Sequence, residues 1–516
     1  MNNTMLTILS LLPILSLLLC LIVLKLSVAK AGAISLALAL VIALFAFGMN
    51  ALGLSVAVGK ALSVALFVSL IVWGALLLYH LVSDFKAIDV ITKNITIFVE
   101  DKFVAFVLLA WLFTGLLQGM AGFGVPAVIV APILIALGFN PVKSLAAALL
   151  GHSWAVTFGS MGAAFFVISN ITGNPPEALG IPMWIFNTIA HVGTGFGVCW
   201  LYDGFKGVKK GLAYILPVSI IMAVVQYFTI FFGLYALGTI NPALAGLATM
   251  FILYKLRARA ETKPRLYAGD LTLVQALLPY ATILAVSILF SFLPADLRNN
   301  IAVSFRFPET ITALGYSVPA ETNYMAIRLF GHPSVILILA SVVAILIYKR
   351  AKVWDSGVFR GAVKKTVKKG IPATIALLFL GSMSLIMKDS GMTHHLAYQV
   401  ADVTGRFYPL SAPFLGVLAS FLTGNNTNSN VLFGYFQHTI AGRLDVSSAV
   451  MSAVQSISGA VGVSIGPTLV LMGATATKLT GQESQIIKKL IGIVLLIALV
   501  MGIANFILLN VMHYGA

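Results

Sequence analysis

The chain has 516 residues, of which 60% are hydrophobic and only 9% are charged, and its formal net charge is +16. A soluble globular protein usually carries about 25% charged residues, so the composition excludes that class and indicates a polytopic membrane protein. The basic surplus lies in loops between apolar segments, as in cytoplasmic loops, and does not indicate a nucleic-acid partner. Cys20 and Cys199 lie inside apolar runs without metal-ligand or disulfide spacing, so no metal site is predicted.

Apolar windows of about 20 residues predict an all-α protein with about 14 transmembrane helices, beginning with a retained first helix that lacks a basic leader and a cleavage site. Two shorter apolar pieces, 122–138 and 430–442, either cross the bilayer or re-enter it. Loop charge favours crossing, because crossing keeps every basic loop inside and both termini outside. The windows are 5–24, 31–54, 61–83, 103–118, 142–168, 181–203, 211–235, 238–256, 271–293, 333–348, 371–388, 407–423, 446–475 and 488–512.

The charges of the loops predict the orientation. The basic segments 255–265 and 349–369 should be cytoplasmic, whereas 170–180 and the charge-balanced 294–331 should lie outside. Residues 83–102 alternate charged and apolar side chains and predict an amphipathic helix on the inner surface. We expect four parts: N-terminal transmembrane helices with the interfacial helix (1–102), a first repeat (103–256), connecting helices with a basic cytoplasmic loop (257–370) and a second repeat (371–516).

Two interrupted apolar runs form an internal repeat. In each run a break is followed by a short apolar piece, a turn and a long helix with polar residues. The first break is QGMAGFGVP (118–126), the second is TGNNTNSN (423–430), and the two halves align without gaps at an offset of 305 residues. On the predicted topology the breaks face opposite sides, which predicts inverted repeats with a substrate site at their interface.

The two breaks carry complementary chemistry. Gly122 and Gly124 let the backbone approach a ligand and Pro126 helps to unwind the helix, so that freed N–H groups could face an anion such as a carboxylate. The alternative for this glycine pattern is a plain helix contact. Asn, Thr and Ser in the second break donate several hydrogen bonds without fixed charge, which suits reversible binding of a small anion. A polar loop outside the membrane is the alternative there.

The long helix after the first break carries an ionisable residue, His152, at mid-segment. A neutral imidazole there could relay a proton or donate to a carboxylate, so His152 is the predicted proton-coupling residue, with simple packing as the alternative. Ser153, Thr157 and Ser160 on the same segment either face the substrate or bond back to their own helix, and Ser458 belongs to a second polar face on the matching helix.

Other ionisable residues form no cluster of acids or metal ligands in the sequence. Lys388 and Asp389 end one span and are expected to neutralise each other. The sequence has no GxxxxGK[ST] phosphate loop, no acidic prenyl-transfer motif and no HExxH zinc motif, so neither an enzyme nor an ATP-driven pump is predicted.

Three segments resemble the lactate permease family of proton-coupled carriers for lactate and glycolate. They are QGMAGFGVPAVIVAPILIALGFNP (118–141), FGSMG (158–162) and LTGNNTNSNVLFGYFQ (422–437). With the order of apolar segments, the resemblance covers most of the chain. It implies a secondary transporter that imports a small 2-hydroxymonocarboxylate by proton symport with alternating access, in the plasma membrane of a prokaryote.

Position by position, Gly122, Gly124, Thr427 and Asn430 match the family pattern, whereas Asn425 and Asn426 stand where it has Ser and Asp. The expected partners are the carboxylate anion, a proton and the bilayer; no cofactor is expected and a homo-oligomer is left open. The predicted substrate-binding residues are Gly122, Phe123, Gly124, Ser153, Thr157, Asn425, Asn426, Thr427, Asn428, Ser429 and Ser458, with His152 for proton coupling.

Three other functions fit parts of the pattern. A sodium-coupled carboxylate or dicarboxylate transporter shares the repeat plan and differs in sodium dependence and competition by succinate. A passive channel differs by conducting without uphill accumulation. A membrane-embedded enzyme needs a cluster of acids or metal ligands within the bilayer, which the sequence lacks.

Overall fold

A computed structural model describes residues 3–122, 124–258, 267, 269–294, 296–297 and 301–515, without the side chains of residues 95, 96, 98, 121, 258 and 291. Over this part of the chain, 11 helices are long and apolar enough to cross a membrane, or 12 if one bent pair forms a single span. The protein is therefore an all-α multi-pass membrane protein, but the predicted count of about 14 spans is not confirmed. Phe123, and Arg259, Lys263 and Arg265 of the basic linker, lie outside the described residues.

The helices of the first half precede the β-strands in the chain. A π-helical turn, Leu19–Val23, continues α1, and another, Leu108–Phe113, joins α5 to α6. In chain order the helices are α1 (Asn3–Leu18), α2 (Val28–Phe45), α3 (Ala51–Asp84), α4 (Ala87–Phe98), α5 (Lys102–Val107), α6 (Thr114–Ala121), α7 (Val125–Ala136), α8 (Pro141–Gly151), α9 (Gly159–Thr172), α10 (Pro176–Phe231), α11 (Ile240–Ala258) and α12 (Leu273–Ser291).

The helices of the second half follow the strands. The domain boundaries expected after residues 256 and 370 fall inside α11 and inside the helix Ser356–Asp389, so they coincide with no helix end. The division into repeats stays a prediction. In chain order these helices are α13 (Pro333–Arg350), α14 (Ser356–Asp389), α15 (Met392–Thr404), α16 (Tyr408–Thr423), α17 (Asn426–Arg443), α18 (Ser448–Gly462), α19 (Pro467–Ala476) and α20 (Glu483–Asn510).

The windows 31–54 and 61–83 have the wrong bounds, because hydropathy does not detect helix caps. α2 ends at Phe45, and Asn50 begins the next helix by accepting a hydrogen bond from the Gly53 N–H at 2.7 Å. The resulting helix α3 has 34 residues. At 1.5 Å per residue it is about 51 Å long and therefore extends beyond a hydrocarbon core of about 30 Å.

Helix α10 folds back on itself. Its 56 residues would measure about 84 Å in one rod, but the backbone is non-helical at Asp203 and Gly204. Beyond that point the chain runs antiparallel, since the Trp184 indole donates to the Ala223 carbonyl at 2.8 Å. The two predicted spans 181–203 and 211–235 are thus joined by a tight reversal rather than by an extended loop.

The segment 294–331, expected to be an outer loop, contains four strands: β1 (Ala302–Phe307), β2 (Thr310–Ile311), β3 (Ser317–Val318) and β4 (Glu321–Arg328). β1 pairs with β4 and β2 with β3, both antiparallel. The strands pack on the first turns of α3, where a Cβ on Gly59 would lie 2.7 Å from Phe307. We call this the hairpin end of the molecule.

The opposite end carries the basic loops. There Lys365 pairs with Asp84 at the last residue of α3 at 2.7 Å, and Trp354 stacks on Phe85. We call this the basic end. Segment 170–180 lies at the hairpin end, because Asn174 shares a cavity with Glu321 of β4. The structure thus places the predicted cytoplasmic segment 349–369 and the described parts of the predicted outer segments at opposite ends of α3.

Two helical hairpins enter the helix bundle from opposite ends. The first hairpin, α5 to α7, starts and finishes at the basic end, where Phe106 and Phe139 lie 5.0 Å apart. The second hairpin, α16 and α17, starts and finishes at the hairpin end, where the Tyr408 hydroxyl donates to Gln437 at 3.0 Å. Helix α7 has 12 residues, about 18 Å, which is too short to cross a bilayer. Length therefore favours re-entry of the first short apolar piece, whereas α17, with 18 residues or about 27 Å, leaves crossing or re-entry of the second piece open.

Gly151, at the end of α8, brings that helix into contact with the π-helical turn of the first hairpin. A Cβ at Gly151 would lie 2.6 Å from the Ala110 carbonyl carbon and 2.9 Å from Trp111 Cα. Because these obstacles are backbone atoms, no rotamer change relieves them. We expect Gly151→Ala to lower the midpoint of thermal unfolding in detergent, with a loss of about 1–3 kcal/mol.

The matched control is Gly361→Ala in α14, where nothing lies within 4 Å of the added Cβ. Alanine favours a helix over glycine by about 1 kcal/mol, so this variant should keep or raise the unfolding midpoint. Equal midpoints for Gly151→Ala and the parent protein would contradict the close packing of α8.

Candidate functional site

A small cavity lies where the tips of the two helical hairpins meet two broken helices. Its volume is about 30 Å³, which is roughly the volume that one molecule occupies in liquid water. No ionised side chain is present among its described lining residues. They come from the first tip (Gln118, Gly124), from α8, α9 and their junction (His152, Val156, Gly159, Ser160, Ala163, Ala164), from the second tip (Gly424, Asn425, Asn426, Thr427) and from the end of α18 (Val463). We call it the central cavity.

The first tip depends on glycine. Gly122 and Gly124 have φ of 46° and 80°, in the region that side-chain-bearing residues rarely adopt. A Cβ on Gly122 would collide with the Ser160 hydroxyl, and one on Gly124 would lie 2.8 Å from the Met472 methyl group and collide with Leu469 of α19. The two glycines thus let the first tip pack between α9 and α19, and Phe123 between them lies outside the described residues.

The second tip presents the N-terminus of α17 to the central cavity. Gly424 ends α16 with φ of 75°, and the Asn425 side chain caps α17 by accepting from the Asn428 N–H at 2.8 Å. The N–H groups of the first turn have no intrahelical acceptor, so those of Asn426 and Thr427 remain at the positive end of the helix dipole. This end of α17 can hold an anion without a fixed charge.

Asn426 and Asn430 attach the second hairpin to the rest of the bundle. The Asn426 amide donates to Thr157 Oγ1 at 3.1 Å and lies 3.4 Å from Ser456 Oγ. The Asn430 amide donates to the Ala164 carbonyl at 3.0 Å and to Ser456 Oγ at 2.9 Å. Both side chains therefore join the two halves of the chain, and Thr157 is part of this network through its own bond to the Ser456 carbonyl at 3.0 Å.

Two hydroxyls of the central cavity are available to a ligand. Those of Ser160 and Thr427 line it, and neither forms a hydrogen bond with a described residue. Many other hydroxyls in the spans bond to their own helices, as Thr423 does to the Ala419 carbonyl, although some away from this cavity, such as those of Ser144 and Ser219, have no partner among the described residues. The Gln118 amide oxygen is also buried without a partner in the described chain. A polar group that lacks a protein partner at such a place can be satisfied by water or a ligand.

His152 lines the central cavity at the end of α8. Its Nδ1 lies 3.0 Å from the Ala148 carbonyl. Because a carbonyl only accepts, Nδ1 carries the proton, and in the neutral ring Nε2 is an acceptor. The ring is 1% exposed, so a proton on Nε2 would need a nearby anion to balance its charge.

The backbone at the start of α9 is strained. Ser160 and Met161 have φ of 48° and 56°, and the helices on either side meet at 53°. Residues with side chains pay about 1–3 kcal/mol each for such a conformation. Strain of this kind clusters at sites where the backbone must hold or change a particular shape, and here it borders the central cavity.

Besides Gly122 and Thr157, which contact residues of the central cavity, four predicted site residues do not line it. The hydroxyls of Ser153 and Ser458 donate to the carbonyls of Leu150 and Gln455, three residues earlier in the chain. Ser429 accepts from the Gln455 amide at 3.2 Å, on the side of α18. Asn428 lines a separate cavity of about 20 Å³ against α3 and α14, which Thr427 also lines.

Gln118 and Ser160 reach the central cavity, although neither is among the substrate-binding residues predicted from the sequence. Both lie in segments that carry the family resemblance, 118–141 and 158–162. The signal that the sequence offers is a lone amide beside a glycine-rich break and a serine within the glycine-containing segment FGSMG. A larger groove of about 760 Å³ between α10 and α20 is lined almost wholly by apolar residues and contains none of the predicted site residues, so we place the site at the central cavity.

Comparison with known proteins identifies relatives over the whole chain. The family model described as L-lactate permease matches residues 6–512. The glycolate permease GlcA of Escherichia coli (strain K12) is 26% identical over 534 residues, covering 96% of this chain and 94% of that protein. The L-lactate permease of the same strain is 25% identical and covers 81% of this chain and 80% of its own. The resemblance seen in the sequence is confirmed.

Two solved structures match this chain at lower sequence identity. The YdaH transporter of Alcanivorax borkumensis matches with a TM-score of 0.42 and 16% identity, covering 89% of this chain and 86% of that one. MtrF of Neisseria gonorrhoeae matches with a TM-score of 0.45 and 12% identity, covering 85% and 80%.

Proposed function

The chain belongs to the L-lactate permease family, and from this we propose that it is a secondary active transporter that imports a small 2-hydroxymonocarboxylate, such as lactate or glycolate, by proton symport with alternating access. Relatives named L-lactate permease and glycolate permease support the substrate class. No observation favours the sodium-coupled alternative.

One observation carries the proposal: two helical hairpins from opposite ends bring their tips to one buried polar cavity beside the bend between α8 and α9. Carriers place their substrates where interrupted helices meet near the bilayer midplane. The inverted symmetry of the two halves is part of the proposal, since the first hairpin enters from the basic end and the second from the hairpin end.

The cavity offers matching groups for each part of a 2-hydroxy acid. The N-terminus of α17, with the N–H groups of Asn426 and Thr427, would hold the carboxylate. The substrate hydroxyl both donates and accepts, and it would bond to the Ser160 hydroxyl and the Gln118 amide oxygen. Fixed charges are missing from the described lining, so the anion would be held by dipoles and released readily on either side.

A cavity of about 30 Å³ holds little more than a water molecule and corresponds to a closed carrier. To admit lactate, one hairpin tip must withdraw, and the glycines at 122, 124 and 424 allow each tip to do so without side-chain collisions. Withdrawal of the first tip would open the basic end, and withdrawal of the second the hairpin end. This exchange is alternating access in structural terms.

His152 would carry the coupled proton in this scheme. Protonated at Nε2, its ring is a cation beside the bound carboxylate, and the two charges offset each other in a poorly hydrated site. The proton and the anion then bind more tightly together than either does alone, which is the thermodynamic requirement of symport.

The deciding experiment is uptake of labelled L-lactate, glycolate and succinate into proteoliposomes under an imposed proton or sodium gradient. We expect L-lactate and glycolate to accumulate above the outside concentration when the outside is acidic, and not in response to sodium. Accumulation that follows sodium, with competition by succinate, would replace this function with the dicarboxylate alternative. Conductance without uphill accumulation would indicate a channel.

A further inference from the structure

A buried ammonium group lies between two carboxylates beneath the strands of the hairpin end. Lys60 is on α3, nine residues from its start and fully buried. Its Nζ lies 2.8 Å from Glu321 Oε1 of β4 and 3.4 Å from Asp389 Oδ2 at the end of α14. Lys388 and Asp389 do not simply neutralise each other as the sequence suggests, because Asp389 turns to Lys60. We call Lys60, Glu321 and Asp389 the ionic cluster.

The ionic cluster has more acid than base in direct contact. Asp389 is fully buried, and its oxygens accept no hydrogen bond from the described residues, so Lys60 is its sole ion-pair partner there. Lys60 is also nearer to Glu321. Two carboxylates that share one buried ammonium bind a proton more readily than an isolated pair would, and they titrate as a unit.

The ionic cluster is reached from a polar space at the hairpin end. A cavity of about 340 Å³ is lined by Glu321 and Arg328 of β4, by Asn174 and by Phe166 of α9. We call it the outer vestibule. The Glu321 side chain is 32% exposed, whereas Lys60 and Asp389 behind it are closed off, so protons can arrive by way of Glu321.

Only one turn of α9 separates the outer vestibule from the central cavity. Phe166 lines the first and Ala163 the second. Residues three apart on a helix are neighbours, roughly 5 Å apart along its surface. The ionic cluster therefore lies beside the route that an anion must take from the hairpin end to the central cavity.

The remaining groups around Asp389 do not replace Lys60. The Lys388 ammonium lies 4.4 Å from the Tyr435 ring centroid and 3.5 Å from the Ile171 carbonyl. Tyr324 of β4 lies beside Lys60, and Tyr316 adjoins the ring of His394. Burial and the neighbouring His395 lower the pKa of His394, so that this ring is neutral at neutral pH.

Counted together, Lys60, Lys388, Glu321 and Asp389 are neutral when all four are ionised. One proton makes the group positive by one, and a monocarboxylate anion arriving beside it restores neutrality. Resting on the proposed function, we propose that the ionic cluster is a second proton-binding site, at the outer entrance, which makes entry of the substrate anion depend on prior protonation. Proton and anion then favour each other's binding by the same factor.

The test measures the Km for labelled L-lactate at the outer face from acidic to alkaline pH, so that protons become scarcer across the series. For the parent protein we expect Km to rise at least about tenfold across this range. Asp389→Asn and Glu321→Gln each remove one negative charge as a proton would. Both should weaken the rise of Km with pH, leaving only the part that His152 contributes, and should retain lactate exchange.

The matched control is Asp402→Asn, which also breaks an ion pair at the hairpin end, with Arg443 at 2.8 Å, but on an exposed surface. It should keep the pH dependence of the parent protein. Parent-like pH dependence in Asp389→Asn and Glu321→Gln would overturn the proposal, as would a Km of the parent that does not change with pH. If Asp389→Asn does not reach the membrane, Glu321→Gln decides alone. Failure of the proposed function is distinct, because the parent would then not transport lactate at any pH.

Discussion

Replacing His152 with alanine is expected to abolish acid-driven accumulation of lactate while leaving exchange of external for internal lactate intact. The ring lines the central cavity, and it is the only titratable side chain among the described residues that do so. Exchange needs the substrate site and the movement of the hairpins but no net proton transfer. Net uptake needs a group whose charge changes beside the anion, and alanine has none. Proteoliposomes loaded with lactate, with and without an inward proton gradient, measure both activities.

His438→Ala is the control for this experiment. His438 lies on α17 of the second hairpin. Its ring bonds to Ser448 near the hairpin end, away from the central cavity. This variant should keep gradient-driven uptake. Uptake by His152→Ala with the pH dependence of the parent protein would remove His152 from the coupling mechanism and leave the ionic cluster as the proton site.

The positions of the two interruptions are predictable from the sequence because they depend on local chemistry. Glycine at 122, 124 and 424 takes positive φ, and Asn425 caps the helix that follows it. These are preferences of single residues and act over one turn. The same locality makes His152 and the asparagine-rich break visible without knowledge of the fold.

Loop charge does not decide how deeply the two hairpins cross the bilayer. It argues against one short piece re-entering alone, but a hairpin whose two arms both enter and leave at one end places the next loop on the same side as two full crossings would. Helix length is the better guide for the first hairpin, because α7 has only 12 residues between its cap and its end.

The ionic cluster is beyond sequence reasoning for a different reason. Lys60, Glu321 and Asp389 lie on α3, β4 and α14, which the fold brings together. In the sequence Lys60 lies between the apolar windows 31–54 and 61–83 with no acidic residue nearby, and Asp389 has a lysine beside it that suggests the wrong pairing. Long-range pairs of this kind follow from tertiary packing, on which one sequence carries no direct information.

Thr427→Val is expected to raise the Km for lactate by roughly 10- to 100-fold with little change in kcat. Valine keeps the shape of threonine and removes only the hydroxyl, which lines the central cavity and bonds no described residue. A hydrogen bond to a charged group contributes about 1.5–3 kcal/mol, and 1.4 kcal/mol is a factor of ten in affinity. Because the bond is made to bound substrate rather than to a moving part, its loss should appear in Km.

Thr439→Val tests whether this effect comes from the site or from the helix. Thr439 lies on α17 as well, but its hydroxyl bonds to the Tyr435 carbonyl at 2.8 Å and does not line the central cavity. If loss of a hydroxyl acted only by loosening α17, the two variants would shift Km alike. A Km for Thr427→Val within about twofold of the parent, a difference below about 0.5 kcal/mol, would mean that the Thr427 hydroxyl does not bond to the bound carboxylate.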